Sequence, residues 1–174
     1  MDDALCQLAE LLQARDELDV RIAALTGRSG RPGDVGEFIA ARIFDIELAG
    51  TATQAGYDGR FRSGPLEGRS VNIKTYGDAG AGLDIGAHPC DFYLVLSGPR
   101  RNASDRHHRW RVSAVYLFDA VRLHVDLAGR GVKIGVATSL RRSDLAAAQI
   151  FPATGLAAPL GLTASQRAML SLFE

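Results

Sequence analysis

The chain has 174 residues, 47% of them apolar and 23% charged, with 20 Lys+Arg against 20 Asp+Glu. This is the size of one ordinary domain with enough apolar residues to build a core, and it excludes a disordered, collagenous or fibrous chain. No apolar run approaches the ~18–20 residues that span a bilayer. The N-terminus is acidic (Asp2, Asp3), unlike a secretory leader, and the two cysteines, Cys6 and Cys90, are too few for a disulfide scaffold or a four-cysteine zinc site. The expectation is a cytoplasmic protein with no membrane partner.

Residues 3–26 read as one long helix, with Leu8, Leu11, Leu18, Ile22 and Leu25 at heptad-like spacing and Gly27 as its stop. Residues 1–28 form a helical arm in this reading, and residues 33–174 the α/β domain. A homodimer through the arm is an expectation. A second helix is expected from about Val35 to Phe44, with Asp34 as N-cap and Glu37 completing a capping box. The period then changes from helical to two. Tyr57–Arg62 and Val71–Tyr76 alternate, and Ser63–Gly68 between them is rich in turn residues, which predicts an antiparallel hairpin centred near Leu66.

Gly77–Gly86 is a glycine-rich loop, Asp91–Ser97 a buried strand and Pro99–Arg109 a basic loop. Trp110–Phe118 is expected as a strand, Ala120–Arg130 as a helix, and Val132–Thr138 as a short apolar strand. Ser143 is expected to cap a helix through Gln149, and Thr163, with Gln166, a last helix through Phe173. The order is that of an α/β (α+β) domain with a mixed central β-sheet flanked by helices.

Of the 20 basic residues 18 are Arg, and the two lysines are Lys74 and Lys133. Together with abundant Ala and Gly, this skew suggests a GC-rich bacterial genome, and a retained Lys marks a position where a compact ammonium serves better than a guanidinium. In a hairpin pivoting near Leu66, position 58 lies roughly opposite position 74. Asn72 and Lys74 share one strand face, so Asp58, Asn72 and Lys74 gather on one side, to which the second helix adds Glu37. Carboxylates suit Mg²⁺ or Mn²⁺, and a lysine stabilises developing negative charge. Taken singly, the simpler readings are preferred: Glu37 as a capping residue, Asp58-Gly59 as a turn, and Asn72 and Lys74 as a solvated strand face.

Glu37, Tyr57-Asp58-Gly59 and Val71-Asn72-Ile73-Lys74 together resemble the PD-(D/E)xK, or restriction-endonuclease-like, nuclease superfamily. That superfamily has a helical acid, an Asp at a strand start and (D/E)-x-K on the next strand. With an amide in the second acidic position, the pattern is similar to the Mrr-like branch and to an uncharacterised bacterial family of this fold. The resemblance covers residues 33–97. It implies a restriction-endonuclease-like core, a metal-dependent endodeoxyribonuclease activity, Mg²⁺ (or Mn²⁺) held by Asp58, Glu37 and the Ile73 carbonyl, and catalysis by Lys74. Two positions depart from the pattern: Tyr57 stands for Pro, and Asn72 for the second acid. A neutral amide is a poorer ligand and no general base. The alternative is therefore a catalytically degenerate module for nucleic-acid binding or protein assembly.

Residues 99–112 carry five Arg, one Asp, His107, His108 and Trp110. Arg60, Arg62, Arg100, Arg101 and Arg109 are the expected nucleic-acid contacts, with DNA as the partner. The competing reading of the loop is a solvated segment with Trp110 in the core. Gly80-Ala81-Gly82 opens no helix and is no nucleotide fingerprint, and neither Lys follows Gly as in a Walker A loop.

Overall fold

The computed structural model describes residues 2–50, 56–80, 82–86, 89–100, 111–153 and 160–174. The first helix, α1 (Asp3–Thr26), starts at Asp2, whose carboxylate accepts the Ala4 N–H at 3.0 Å, and ends at Gly27 with φ 68°. Both boundaries match the expectation. At 1.5 Å per residue the helix is about 36 Å long. It buries none of its residues, and its Leu11 and Leu25 are 68% and 77% exposed. No helix among the described residues is long and apolar enough to cross a membrane.

The second helix, α2 (Pro32–Phe44), begins earlier than its apolar pattern suggested. Arg31 is the N-cap residue, and Pro32 takes the first turn, where a missing N–H costs nothing. The expected capping box is absent: Asp34 accepts a hydrogen bond from the Ser29 hydroxyl instead. Glu37 is thereby left for another role.

Eight strands follow in the order β1 (Ile46–Leu48), β2 (Gly59–Phe61), β3 (Ser70–Tyr76), β4 (Gly82–Leu83), β5 (Phe92–Ser97), β6 (Ala114–Asp119), β7 (Thr138–Ser139) and β8 (Gln149–Phe151). Helix α3 (Ala120–Gly129) follows β6, α4 (Arg142–Ala148) precedes β8, and α5 (Ala164–Ser171) closes the described chain. The β2–β3 hairpin turns through a single 3₁₀ turn at Gly64–Leu66, near its expected centre. Its register pairs Gly59 with Val71 and Arg60 with Ser70. Position 58 therefore stands opposite position 72, not 74.

The expected strand over Val132–Thr138 is mostly loop, with Val132 and Ile134 packed against the core. Arg141, not Ser143, precedes α4, and Gln149 opens a strand rather than ending a helix. The Thr163–Gln166 box forms as expected: the Gln166 N–H donates to Thr163 Oγ1, and the Thr163 N–H to Gln166 Oε1. Trp110 lies outside the described residues, and the strand it was expected to open starts at Ala114.

Among the described residues, six strands form one mixed sheet in the order β1-β2-β3-β5-β6-β8, in which β3 and β5 run parallel and the other neighbours antiparallel; β4 and β7 form a separate antiparallel pair. Side chains alternate across the sheet. Val71 and Ile73 of β3 face the core that holds Ile39, Ile43 and Phe44 of α2 and Leu170 of α5. On the other face Tyr93, Val95 and Phe118 pack with Leu123 and Leu127 of α3. The protein is a mixed α/β fold with helices on both faces of the sheet and a long N-terminal helix.

The closest approach between α2 and the sheet is at Gly36. An added Cβ there would overlap Thr75 Oγ1 and lie 2.9 Å from Thr75 Cβ. Helix and strand meet at this distance only because Gly36 has no side chain. Gly36→Ala is expected to cost about 1–3 kcal/mol, the range for overpacking, and Thr75→Ala in the same chain to recover part of it. Urea unfolding of the three variants checks this.

Candidate active site

Three main-chain and side-chain bonds fix Asp58. Its N–H donates to the Val71 carbonyl at 2.9 Å, and its carbonyl accepts the Ala49 N–H at 2.9 Å. Its carboxylate accepts the Ile73 N–H at 2.6 Å. The last bond substitutes for a strand. β2 pairs with β3 only as far as Val71, so Ile73 lies where the ladder has ended, and Asp58 turns its side chain onto the exposed edge. Within one strand residue the N–H and C=O point the same way, so the Ile73 carbonyl exits toward the same edge.

The other residues reach this notch from both faces. Asn72 and Lys74 share the face of Tyr76, which packs against the α3 side of the sheet. Thr75, beneath Gly36, marks the opposite face, from which α2 brings Glu37. Asp58, Asn72 and Lys74 therefore do not gather with Glu37 on one side of the hairpin, as the pattern had suggested. Asp58 links the two faces electrostatically: its charge acts on Glu37, and Lys74 acts on it.

Sequence reasoning missed one member, Arg28. From the loop after α1, its Nη1 pairs with Glu37 Oε2 at 2.5 Å, with the side chains 30% and 21% exposed. Nothing in the local pattern marks it among 18 arginines, because the pairing bridges nine residues across a turn.

Electrostatics tie the four charged groups together. Burial, and then the charge of Asp58, push the Glu37 carboxyl above its ordinary value, while Arg28 pulls it down. Burial also raises Asp58, against the Ile73 N–H, Lys74 and Arg28, each of which lowers it. Both carboxyls remain raised although two cations serve them. Burial, the largest cause for each, outweighs them.

A third oxygen sits close by. Asn72 Nδ2 donates to the Gly56 carbonyl at 3.4 Å, and Asn72 Oδ1 is buried with no hydrogen-bond partner among the described residues. An orphaned buried acceptor costs roughly 1–3 kcal/mol unless something satisfies it. Two carboxylates, a strand-edge carbonyl and an amide oxygen form an all-oxygen donor set, which fits a hard divalent cation that keeps several waters. No three His, Cys, Asp or Glu side chains meet at one point among the described residues, so the carboxylates alone do not form a cage. Mg²⁺ is commonly held by only one or two of them.

The expected nucleic-acid contacts divide. Arg60 is exposed and lies over the Tyr57 ring, 4.8 Å from its centroid, with Nη1 donating to the Gly68 carbonyl. Arg62 is taken up by Asp45, to which Nε and Nη2 donate at 2.9 and 2.6 Å. This exposed pair ties the hairpin to the end of α2. Arg100 is exposed and acts electrostatically on Tyr116, on the α3 side of the sheet. Arg101, Arg109, His107 and His108 lie outside the described residues.

The raised carboxyls carry a definite sign. Asp58 binds its proton more tightly folded than unfolded, so its contribution to stability is largest below the unfolded carboxyl value and is lost as pH rises through the folded one. Asp58→Asn, which keeps an acceptor for Ile73 but never ionises, is expected to raise stability at pH 7 by about 1 kcal/mol. The gain should vanish near pH 3, where both side chains are neutral. Urea unfolding at the two pH values checks both.

The chain matches no protein-family model, and none of the curated proteins compared with it is similar in sequence.

Proposed function

We propose that the notch at the β3 edge is a divalent-cation site and that the protein hydrolyses DNA phosphodiester bonds there, in the manner of the PD-(D/E)xK nucleases it resembles. One observation carries the reading. Asp58 is held by the Ile73 N–H at the open edge of β3, with Glu37 and Lys74 within its electrostatic reach. The acids come from a helix and a strand start, and the lysine from the next strand, as in that superfamily.

Asp58, Glu37 and the Ile73 carbonyl would hold Mg²⁺ or Mn²⁺, with Asn72 Oδ1 in place of the second acid. The bound cation supplies Lewis-acid charge at the phosphate and lowers the pKa of its water. Lys74 places an ammonium beside the phosphate and stabilises the charge that develops as water adds to phosphorus and the ester oxygen leaves. Arg60, propped on Tyr57, stands on the same hairpin to neutralise a neighbouring phosphate.

Two observations favour a second reading, a degenerate nuclease-fold module that binds nucleic acid or assembles with protein. Asn72 cannot act as a base, and Arg28 already supplies a cation to Glu37. The two readings separate in one assay: duplex, single-stranded and branched DNA incubated with Mg²⁺ or Mn²⁺. The nuclease reading expects cleavage that Asp58→Asn abolishes and Lys74→Ala slows by roughly 10²–10³, the range for loss of one charge-stabilising group. DNA retained on the protein but left intact under every condition favours the module.

A further inference from the structure

We infer that Arg28 is a built-in competitor at the cation site, contending with a divalent ion for Glu37 Oε2, so that the loop joining α1 to the domain responds to whether the site is filled. The inference rests on the cation-site reading above. Glu37 has one observed partner, the Arg28 guanidinium, and that same carboxylate is the one α2 contributes to the notch. The guanidinium engages Glu37 through Oε2 alone, so a cation that takes both carboxylate oxygens competes with Arg28 for that atom. Arg28 also lowers Asp58 electrostatically, so both acids of the site feel it as a positive charge.

The loop is built to deliver this group. The Arg28 N–H donates to Thr26 Oγ1 at 3.2 Å, which fastens its backbone to the last turn of α1. The Ser29 hydroxyl bonds to Asp34, which fastens the next residue to the first turn of α2. Gly30 lies against Asp19, where an added Cβ would come within 2.8 Å of the Asp19 carboxylate. Arg28 is thus held by α1 on one side and reaches into the domain on the other. Because α1 buries none of its residues, this ion pair is a principal link between the arm and the site. A cation on Glu37 Oε2 frees the guanidinium and removes one of the ties that hold the loop after α1.

Mn²⁺ alone is the probe, titrated by calorimetry into the full chain. Arg28→Gln is expected to bind Mn²⁺ about three- to tenfold more tightly than the wild type, the scale of a partly exposed charge pair. Arg28→Lys keeps a cation without the planar fork; its smaller gain covers a loss of folding by the glutamine variant. In a Glu37→Gln background the Arg28→Gln gain should disappear, because its target is gone. Amide exchange of residues 27–33 should quicken in the wild type when Mn²⁺ is added. Equal Mn²⁺ affinity in the wild type and both Arg28 variants overturns the inference and leaves the cation site standing. So does a gain that persists without Glu37, or exchange that does not change on saturation. Absence of Mn²⁺ binding in every variant overturns the cation site itself and this inference with it.

Discussion

A single hydrogen bond organises the candidate site of this protein: the Ile73 N–H donating to the Asp58 carboxylate. It exists because β2 stops at Gly59 while β3 runs on to Tyr76. Gly59 is needed for that geometry, since an added Cβ would come within 2.5 Å of the Glu47 carbonyl in β1. The strand pair closes tightly, then opens, and Asp58 stands at the opening with its backbone tied on one side to Val71 and on the other to Ala49. Everything that surrounds it is a consequence of where the ladder ends. Lys74 projects from one face, α2 brings Glu37 from the other, and the edge itself presents the Ile73 carbonyl.

The notch holds groups that sit in conflict with stability. Burial raises both acids, and Asn72 Oδ1 has no donor among the described residues. A core built for stability alone would satisfy or remove such groups. The protein instead accepts the cost where two carboxylates, a lysine and an arginine converge.

Much of the architecture was legible in the sequence, for reasons that are local. Gly27 ends α1 because only glycine enters the left-handed region freely. Thr163 and Gln166 cap α5 through bonds that span three residues. Asn72 and Lys74 share a face because a strand alternates. What escaped depended on distance or brevity. β1 and β8 are three residues each, too short for a period to register, and each begins beside the end of a helix. The hairpin register followed the 3₁₀ turn rather than the midpoint of the intervening residues, which moved Asp58 from opposite Lys74 to opposite Asn72. Pro32 outranked Asp34 at the start of α2 because a proline at the first turn is preorganised for helix. The choice of Arg28 as the partner of Glu37 is tertiary, and eighteen chemically equal arginines conceal it.

The bond that positions Asp58 also protects the molecule. A sheet edge with open N–H and C=O groups is a template on which another chain adds a strand, and proteins blunt such edges with charge. Here the opening of β3 is closed by a half-buried carboxylate that takes the Ile73 N–H where an incoming backbone carbonyl would have to lie. A neighbouring copy meets repulsion there rather than a free ladder. The group that fills the edge is thus the one that keeps it from seeding aggregation. Replacing it by an apolar side chain would expose a pairing surface.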